Sequence, residues 1–247
     1  MRILYQAALE DQEVTVCDVK SLFGEEGDFR ILQFSDEAAQ GAIDRTDPKR
    51  ILFEYPRAIL HLMELNDREY EDVFVIGHGI GTLAGSIPGK RVKVAEISSE
   101  IVEISRTYFG YDQDNVRIGD GRELLEEEPR EAFDYIVVDA FTEQGTPPHL
   151  TSLEFFQLSK ERLDHEGAVI LNLIGKHGND RRLNAIHTTL SAVYPYTKAF
   201  SLPSNKASDI QNLIIMGRNI PIAYQERNMA GFIETRLGEG HLISDRK

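Results

Sequence analysis

Asp72-Val-Phe-Val-Ile-Gly-His-Gly-Ile-Gly81 is the stretch on which the fold turns. Val73 to Ile76 form an apolar run of strand length, too short for a buried helix. Glycines follow at 77, 79 and 81, and Thr82 to Ser86 then opens a helix. Glycine permits a tight turn and close approach of a ligand to the backbone, while a helix start leaves N–H groups free to donate. A glycine triplet alone is a weak sign. Between a strand and a helix it predicts a nucleotide-binding turn at Gly77, His78, Gly79 and Gly81.

Downstream, strands and helices alternate. Arg91 to Ile97, Val116 to Ile118, Phe133 to Asp139 and Ala168 to Leu173 read as strands, and Phe133 to Asp139 is apolar enough to be buried on both faces. Ser99 to Tyr108, Arg122 to Glu128, Ser152 to Leu163 and Asp180 to Val193 read as helices. Two last strands lie near Thr197 to Leu202 and Leu213 to Met216. The alternation predicts an α/β fold with a seven-stranded, mostly parallel sheet and helices on both faces. Upstream, residues 1–52 carry β-like runs at Glu13 to Val19, Phe29 to Phe34 and Ala38 to Ile43, separated by turn formers. They predict a small antiparallel N-terminal β domain, joined through a helix at Pro56 to Leu65 to a ligand-binding domain of residues 53–247. Gly238 to Lys247 is polar and expected to fray.

Composition narrows the function. The chain has 247 residues, 41% of them hydrophobic and 28% charged, with a formal net charge of −14. Such a surface repels a polyanion, so no nucleic acid is expected as a partner, whereas a small cationic substrate is drawn in. The single cysteine, Cys17, excludes an internal disulfide and a cysteine zinc site. The histidines show no metal spacing, and no metal is expected. No stretch is long and apolar enough for a signal peptide or membrane span, so the chain is expected to be cytoplasmic, with no membrane partner.

Three acidic residues share the rim of the sheet with the glycine turn. Glu96 ends the strand after it, 19 residues beyond Gly77, where nucleotide folds place a carboxylate for ribose hydroxyls. Asp120, in Ile118-Gly-Asp-Gly-Arg122, follows the third strand and suits an adenine amino group, although turn aspartates are also common helix caps. Asp139 ends a buried strand, where a carboxylate is costly unless hydrogen-bonded or put to chemical use. After it, Phe141 to His149 reads as a mobile lid.

These residues together resemble the spermidine synthase (polyamine aminopropyltransferase) family, built on the Rossmann-like class I methyltransferase fold. The resemblance lies in Glu54-Tyr55, the glycine loop Gly77 to Gly81, Glu96-Ile97, Gly119-Asp120-Gly121, Val138-Asp139 and the loop into Glu154-Phe-Phe156. It implies a cosubstrate of decarboxylated S-adenosylmethionine or S-adenosylmethionine, contacted by Gly77, His78, Gly79, Gly81, Glu96, Ile97, Asp120, Gly121 and Asp139. It also implies catalysis by Asp139 with Tyr55, and amine contacts from Glu54, Thr142 and Glu143. Departures fall in the amine half: Ile80 stands where the family's loop has aspartate, Thr142 where it has a second aspartate, and Pro56-Arg57 where it has His/Gln-Glu.

The activity implied is aminopropyl transfer to a polyamine such as putrescine. The same nucleoside set would serve an S-adenosylmethionine-dependent methyltransferase, with Arg57 available to a ligand carboxylate. It would also serve a non-catalytic nucleoside-binding homologue. The family resemblance further implies a homodimer or homotetramer.

Overall fold

The computed structural model describes residues 1–9, 12–34, 39–142, 145–176, 180–204 and 209–245. Its N-terminal part is a four-stranded antiparallel meander of β1 (Arg2–Leu9), β2 (Gln12–Leu22), β3 (Glu25–Gln33) and β4 (Ala39–Asp44), in that spatial order. The first of these strands is additional to the three that the sequence pattern predicts. Helix α1 (Glu54–Asn66) comes next, with Pro56 in its first turn, where the missing N–H costs nothing.

The main sheet contains β5 (Asp72–Ile76), β6 (Arg91–Glu96), β7 (Val116–Ile118), β8 (Phe133–Val138), β9 (Leu163–Lys176), β10 (Tyr196–Ser201), β11 (Ile210–Arg218) and β12 (Ile233–Thr235). Its order is β12-β10-β11-β9-β8-β5-β6-β7. β5 to β9 run parallel, and β11, β10 and β12 are joined antiparallel. The seven expected strands are all present, and β12 adds a three-residue edge. Helices α2 (Thr82–Gly85), α3 (Ser99–Phe109), α4 (Gly121–Glu126), α5 (Leu153–Arg162) and α6 (Arg181–Ser191) complete the fold.

Both faces of the sheet are covered, and the side chains of β8 divide between them. Tyr135 and Val137 join Ile59, Leu62 and Met63 of α1 on one face. Ile136 and Val138 join Leu125, Phe155, Phe156 and Ile186 on the other. A strand buried on both faces must be largely apolar, which is why Phe133 to Val138 reads as a near-continuous run broken only by Asp134, whose carboxylate accepts from the Glu71 and Asp72 N–H groups.

From β5 the chain winds outward through β6 and β7, then returns to place β8 on β5's other side. The strand order reverses between β5 and β8, and open α/β sheets leave a crevice at the carboxyl ends of such strands. The glycine turn follows β5 and Asp139 follows β8, so both lie at this switch point.

The N-terminal sheet closes on the same region. Val14, Val16 and Leu32 form one apolar cluster with Ile80 of the glycine turn and with Ile101 and Ile104 of α3. Arg30 pairs with Asp18 at 2.8 Å and donates to the Tyr108 carbonyl at the end of α3, also at 2.8 Å. Cys17 fills the opposite face with Ile31 and Ala42.

The expectation that the polar tail frays is corrected. Gly238 to Asp245 is docked: the Gly238, Gly240 and Ile243 N–H groups donate to side chains of Asn184, Thr188 and Thr189 on α6, at 2.9–3.0 Å. The Ile243 carbonyl accepts from Leu153 N–H at 2.8 Å. Polar sequence here signals pairing with a polar helix face. The segment after β8 has local structure in its described part. Thr142 and Gly145 form a backbone bridge, and Pro148–Leu150 is a 3-10 turn tied to α4 through Arg122.

Candidate functional site

Gly77 has φ +98°, and a Cβ there would lie 2.1 Å from the Asp139 carbonyl oxygen. Only glycine lets the turn after β5 pass so close to the end of β8. Gly81, at φ +86°, is equally constrained: a Cβ would lie 2.2 Å from the Tyr111 ring. Gly79 faces open space, and Gly121 packs against Ile76, where a Cβ would meet a methyl at 2.2 Å.

His78 and Ile80 turn away from the crevice. The His78 ring is buried, its Nε2 lies 2.7 Å from Ser105 Oγ, and it meets the Tyr111 ring edge-on at 4.6 Å. Ser105 Oγ donates to the Val102 carbonyl, so it accepts from Nε2–H. Burial, reinforced by the Arg106 charge, pulls the imidazole down to about 4, so the ring is neutral at pH 7. The His78 backbone N–H donates to Glu96 Oε2 at 2.8 Å. Ile80 is 7% exposed and serves the cluster beneath the N-terminal sheet.

Glu96 accepts from His78 N–H on one oxygen and from Ser98 N–H at 2.9 Å on the other. It thereby ties the glycine turn to the start of α3. Each oxygen keeps a further lone pair for a hydroxyl donor. Ile97 beside it is 73% exposed, an apolar side chain bare on the rim. Asp120 caps α4, accepting from Arg122 and Glu123 N–H, and its other oxygen receives His149 Nε2 at 2.8 Å.

Asp139 is the most perturbed acid of the crevice. Tyr55 Oη donates to one of its oxygens at 3.1 Å and Asn172 Nδ2 to the other at 2.8 Å. Asn212 Nδ2 in turn donates to Asn172 Oδ1 at 2.9 Å, which fixes the orientation of the Asn172 amide. Burial pushes the Asp139 carboxyl up, the two donors pull it back, and the Glu96 charge adds to the rise, leaving it at about 6. Burial, together with the Asp139 charge, raises the Tyr55 hydroxyl well above its ordinary value, so it remains a donor. A carboxylate poised near neutrality at a switch point can take a proton from a bound group.

Two of the remaining sequence candidates make local contacts of their own. Glu54 opens α1, half-exposed, 3.8 Å from Arg57. The Thr142 hydroxyl donates to the Gly145 carbonyl at 2.8 Å. Glu143 lies outside the described residues. Among the described residues no group of three His, Cys, Asp or Glu side chains could hold a metal, and no helix is long and apolar enough to cross a membrane.

Sequence reasoning missed Asn172, Asn212, His149 as a partner of Asp120, and the Arg122–Asp245 pair. Asn172 could have been found: it is the one polar side chain in Ala168-Val-Ile-Leu-Asn-Leu173 and is fully buried. An amide placed there needs partners.

The family model of the spermine/spermidine synthase domain matches residues 52–207. A polyamine aminopropyltransferase of Vibrio vulnificus is 27% identical over 179 residues, which are 65% of this chain and 60% of that protein. The match thus spans less than two thirds of the relative's length. A probable spermidine synthase from Corynebacterium glutamicum superposes with a TM-score of 0.76 at 21% identity, covering 89% of this chain and 81% of the other. A spermidine synthase in complex with the transition-state analogue AdoDATO gives 0.66 at 16% identity, covering 93% and 83%. At such identities the likeness is one of fold. With the family model covering more than half of the sequence, the chain belongs to the spermine/spermidine synthase family.

Proposed function

We propose that the chain transfers an aminopropyl group from decarboxylated S-adenosylmethionine, or a related adenosyl sulfonium, to a small amine of the putrescine type. The observation that carries this is Asp139, raised to about 6 and held between Tyr55 and Asn172 beside the glycine turn. An amine nitrogen attacks the carbon next to the sulfonium. The C–N bond forms as the C–S bond breaks, and the bonding pair returns to sulfur, giving neutral methylthioadenosine. The nitrogen sheds a proton to the Asp139 carboxylate, since an ammonium has no lone pair with which to attack. Holding nitrogen and carbon in line contributes several kcal/mol more. In this reading Gly77, Gly79, Gly81, Glu96, Ile97, Asp120 and Gly121 hold the adenosyl part, His78 contributing by fixing Glu96 through its backbone N–H, with Glu54, Thr142 and Glu143 toward the amine.

One observation favours a second reading, S-adenosylmethionine-dependent methyl transfer. Ile80 is buried under the N-terminal sheet, so the glycine turn presents no carboxylate to a donor's ammonium at that position. Calorimetric binding of S-adenosylmethionine and its decarboxylated form, side by side, separates the two. Preference for the decarboxylated ligand, followed by product with putrescine, supports aminopropyl transfer. Preference for the carboxylated ligand moves the assignment to a methyltransferase, and binding without turnover of any amine makes the chain a nucleoside-binding homologue. The net charge of −14 supports a cationic acceptor over a nucleic acid. The buried Cys17 suits a reducing, cytoplasmic setting. A homodimer or homotetramer, expected from the family, is read by light scattering.

A further inference from the structure

Asp120 stands where a base-reading carboxylate is expected, and in this structure His149 lies across its outer oxygen. Oδ1 accepts from the Arg122 and Glu123 N–H groups at 2.9 and 3.1 Å. Oδ2 lies 2.8 Å from His149 Nε2. A carboxylate only accepts, so Nε2 carries a proton, and in the neutral tautomer that this contact selects Nδ1 is the acceptor. The imidazole is also the outer member of the pair, with its side chain 43% exposed against 24% for Asp120.

The backbone under His149 is held as firmly as its ring. Arg122 Nη1 donates to the His149 carbonyl at 3.1 Å, and the same guanidinium grips both oxygens of Asp245 at 3.0 and 2.7 Å. On the same rim, at the end of β6, Ile97 offers an exposed apolar side chain against which a planar ring can lie. An acceptor on a fixed imidazole and a bare apolar surface are what an aminopurine needs: a partner for its exocyclic N–H and a face to pack on.

We propose that His149 reads the nucleobase, its Nδ1 accepting from the exocyclic amino group of a 6-aminopurine nucleoside, with Asp120 as the positioning residue that fixes the imidazole tautomer. This rests on the crevice being an adenosyl site, as proposed above. A 6-oxopurine would set a carbonyl oxygen against Nδ1, two acceptors facing each other, and lose binding. An unmet hydrogen-bonding group of this kind is worth on the order of 10- to 100-fold in affinity.

The test is calorimetric titration of the full chain with methylthioadenosine and with its 6-oxo counterpart, methylthioinosine. The unaltered protein is expected to prefer the amino compound by about 10- to 100-fold. His149→Ala should bring the two within about threefold, by weakening the amino compound. Asp120→Asn is the sharper variant. Asparagine still caps α4, but its amide N–H₂ can face Nε2, which moves the imidazole proton to Nδ1. Nδ1–H then donates, and the preference should invert toward the 6-oxo compound. A His149→Ala protein that keeps the original ratio overturns the inference, as does an Asp120→Asn protein with unchanged preference. Equal binding of both compounds by the unaltered protein also overturns it, while leaving the adenosyl site standing. Binding of neither sinks the adenosyl site itself. Each variant's melting temperature, measured alongside, shows that it is folded.

Discussion

Asp139 illustrates how a residue's cost and its use coincide. Its carboxyl, ordinarily near 3.8, sits at about 6 because burial disfavours the charge more than Tyr55 and Asn172 favour it. The folded protein therefore holds this proton more tightly than the unfolded chain. The corresponding stability is present below pH 4 and lost as pH rises through about 6, amounting to at most about 3 kcal/mol. Asp139→Asn should thus raise the urea midpoint at pH 7 while lowering the transfer rate about 10²- to 10⁴-fold. An unchanged rate would remove Asp139 from the chemistry. If the proposed transfer holds, kcat/KM of the unaltered protein should rise with pH along a limb centred near 6, as Asp139 ionises. Tyr55→Phe removes a donor that stabilises the carboxylate, so that limb should move to higher pH. The aspartate was legible in the sequence because it interrupts a buried strand end. Its tuning was not, because Asn172 and Asn212 reach it from strands 33 and more residues away.

Among elements, the C-terminal segment carries most of what the sequence concealed. Gly238 to Asp245 has no apolar periodicity, and its stability comes from hydrogen bonds to α6 and from one ion pair that no local pattern announces. Asp245 reaches Arg122, the second residue of α4, and Arg122 holds the backbone of the loop beyond β8. The Asp245 carboxyl is held below its ordinary range chiefly by that guanidinium. Asp245→Ala should free Arg122 and loosen the 145–149 turn, raising KM for the adenosyl donor several-fold with little change in kcat. Steady-state kinetics separate the two constants, and an unchanged KM would make the tail an independent surface strap. By contrast, the parallel strands and their helices were readable, because a strand covered on both faces has to be apolar and a helix beside it amphipathic.

At the scale of the whole molecule, the two sheets are distinct in pattern but share apolar packing. Residues 1–52 read as a separate β unit because their short strands and turns contrast with the strand–helix alternation that begins at Asp72. Their partners on the main domain are Ile101 and Ile104 of α3 and an isoleucine in a glycine turn, a position where pattern gives no hint of a core. Ile80 sits among Val14, Val16 and Leu32, and Gly41 of β4 leaves room for it, since a Cβ there would lie 2.7 Å from Ile80 Cγ2. The family's aspartate at this position would set an unpaired carboxylate in that cluster. Ile80→Asp should therefore cost on the order of 3–5 kcal/mol in urea denaturation and confer no new amine site. Because the cluster bridges both sheets and the ligand turn, the chain should also unfold in one step. The protein contains 9 tyrosines and no tryptophan, and the Tyr5 and Tyr108 rings meet across the junction at 5.7 Å and a 46° tilt. Near-ultraviolet circular dichroism thus reports on tyrosine packing in both parts of the chain, the junction included, while far-ultraviolet reports on the backbone. The two transitions should coincide, and Val16→Ala should shift both together by about 2 kcal/mol while weakening adenosyl-ligand binding. Separate transitions, or a Val16→Ala protein with unaltered affinity, would mean that the N-terminal sheet folds alone and that the glycine turn takes its shape from the main domain only.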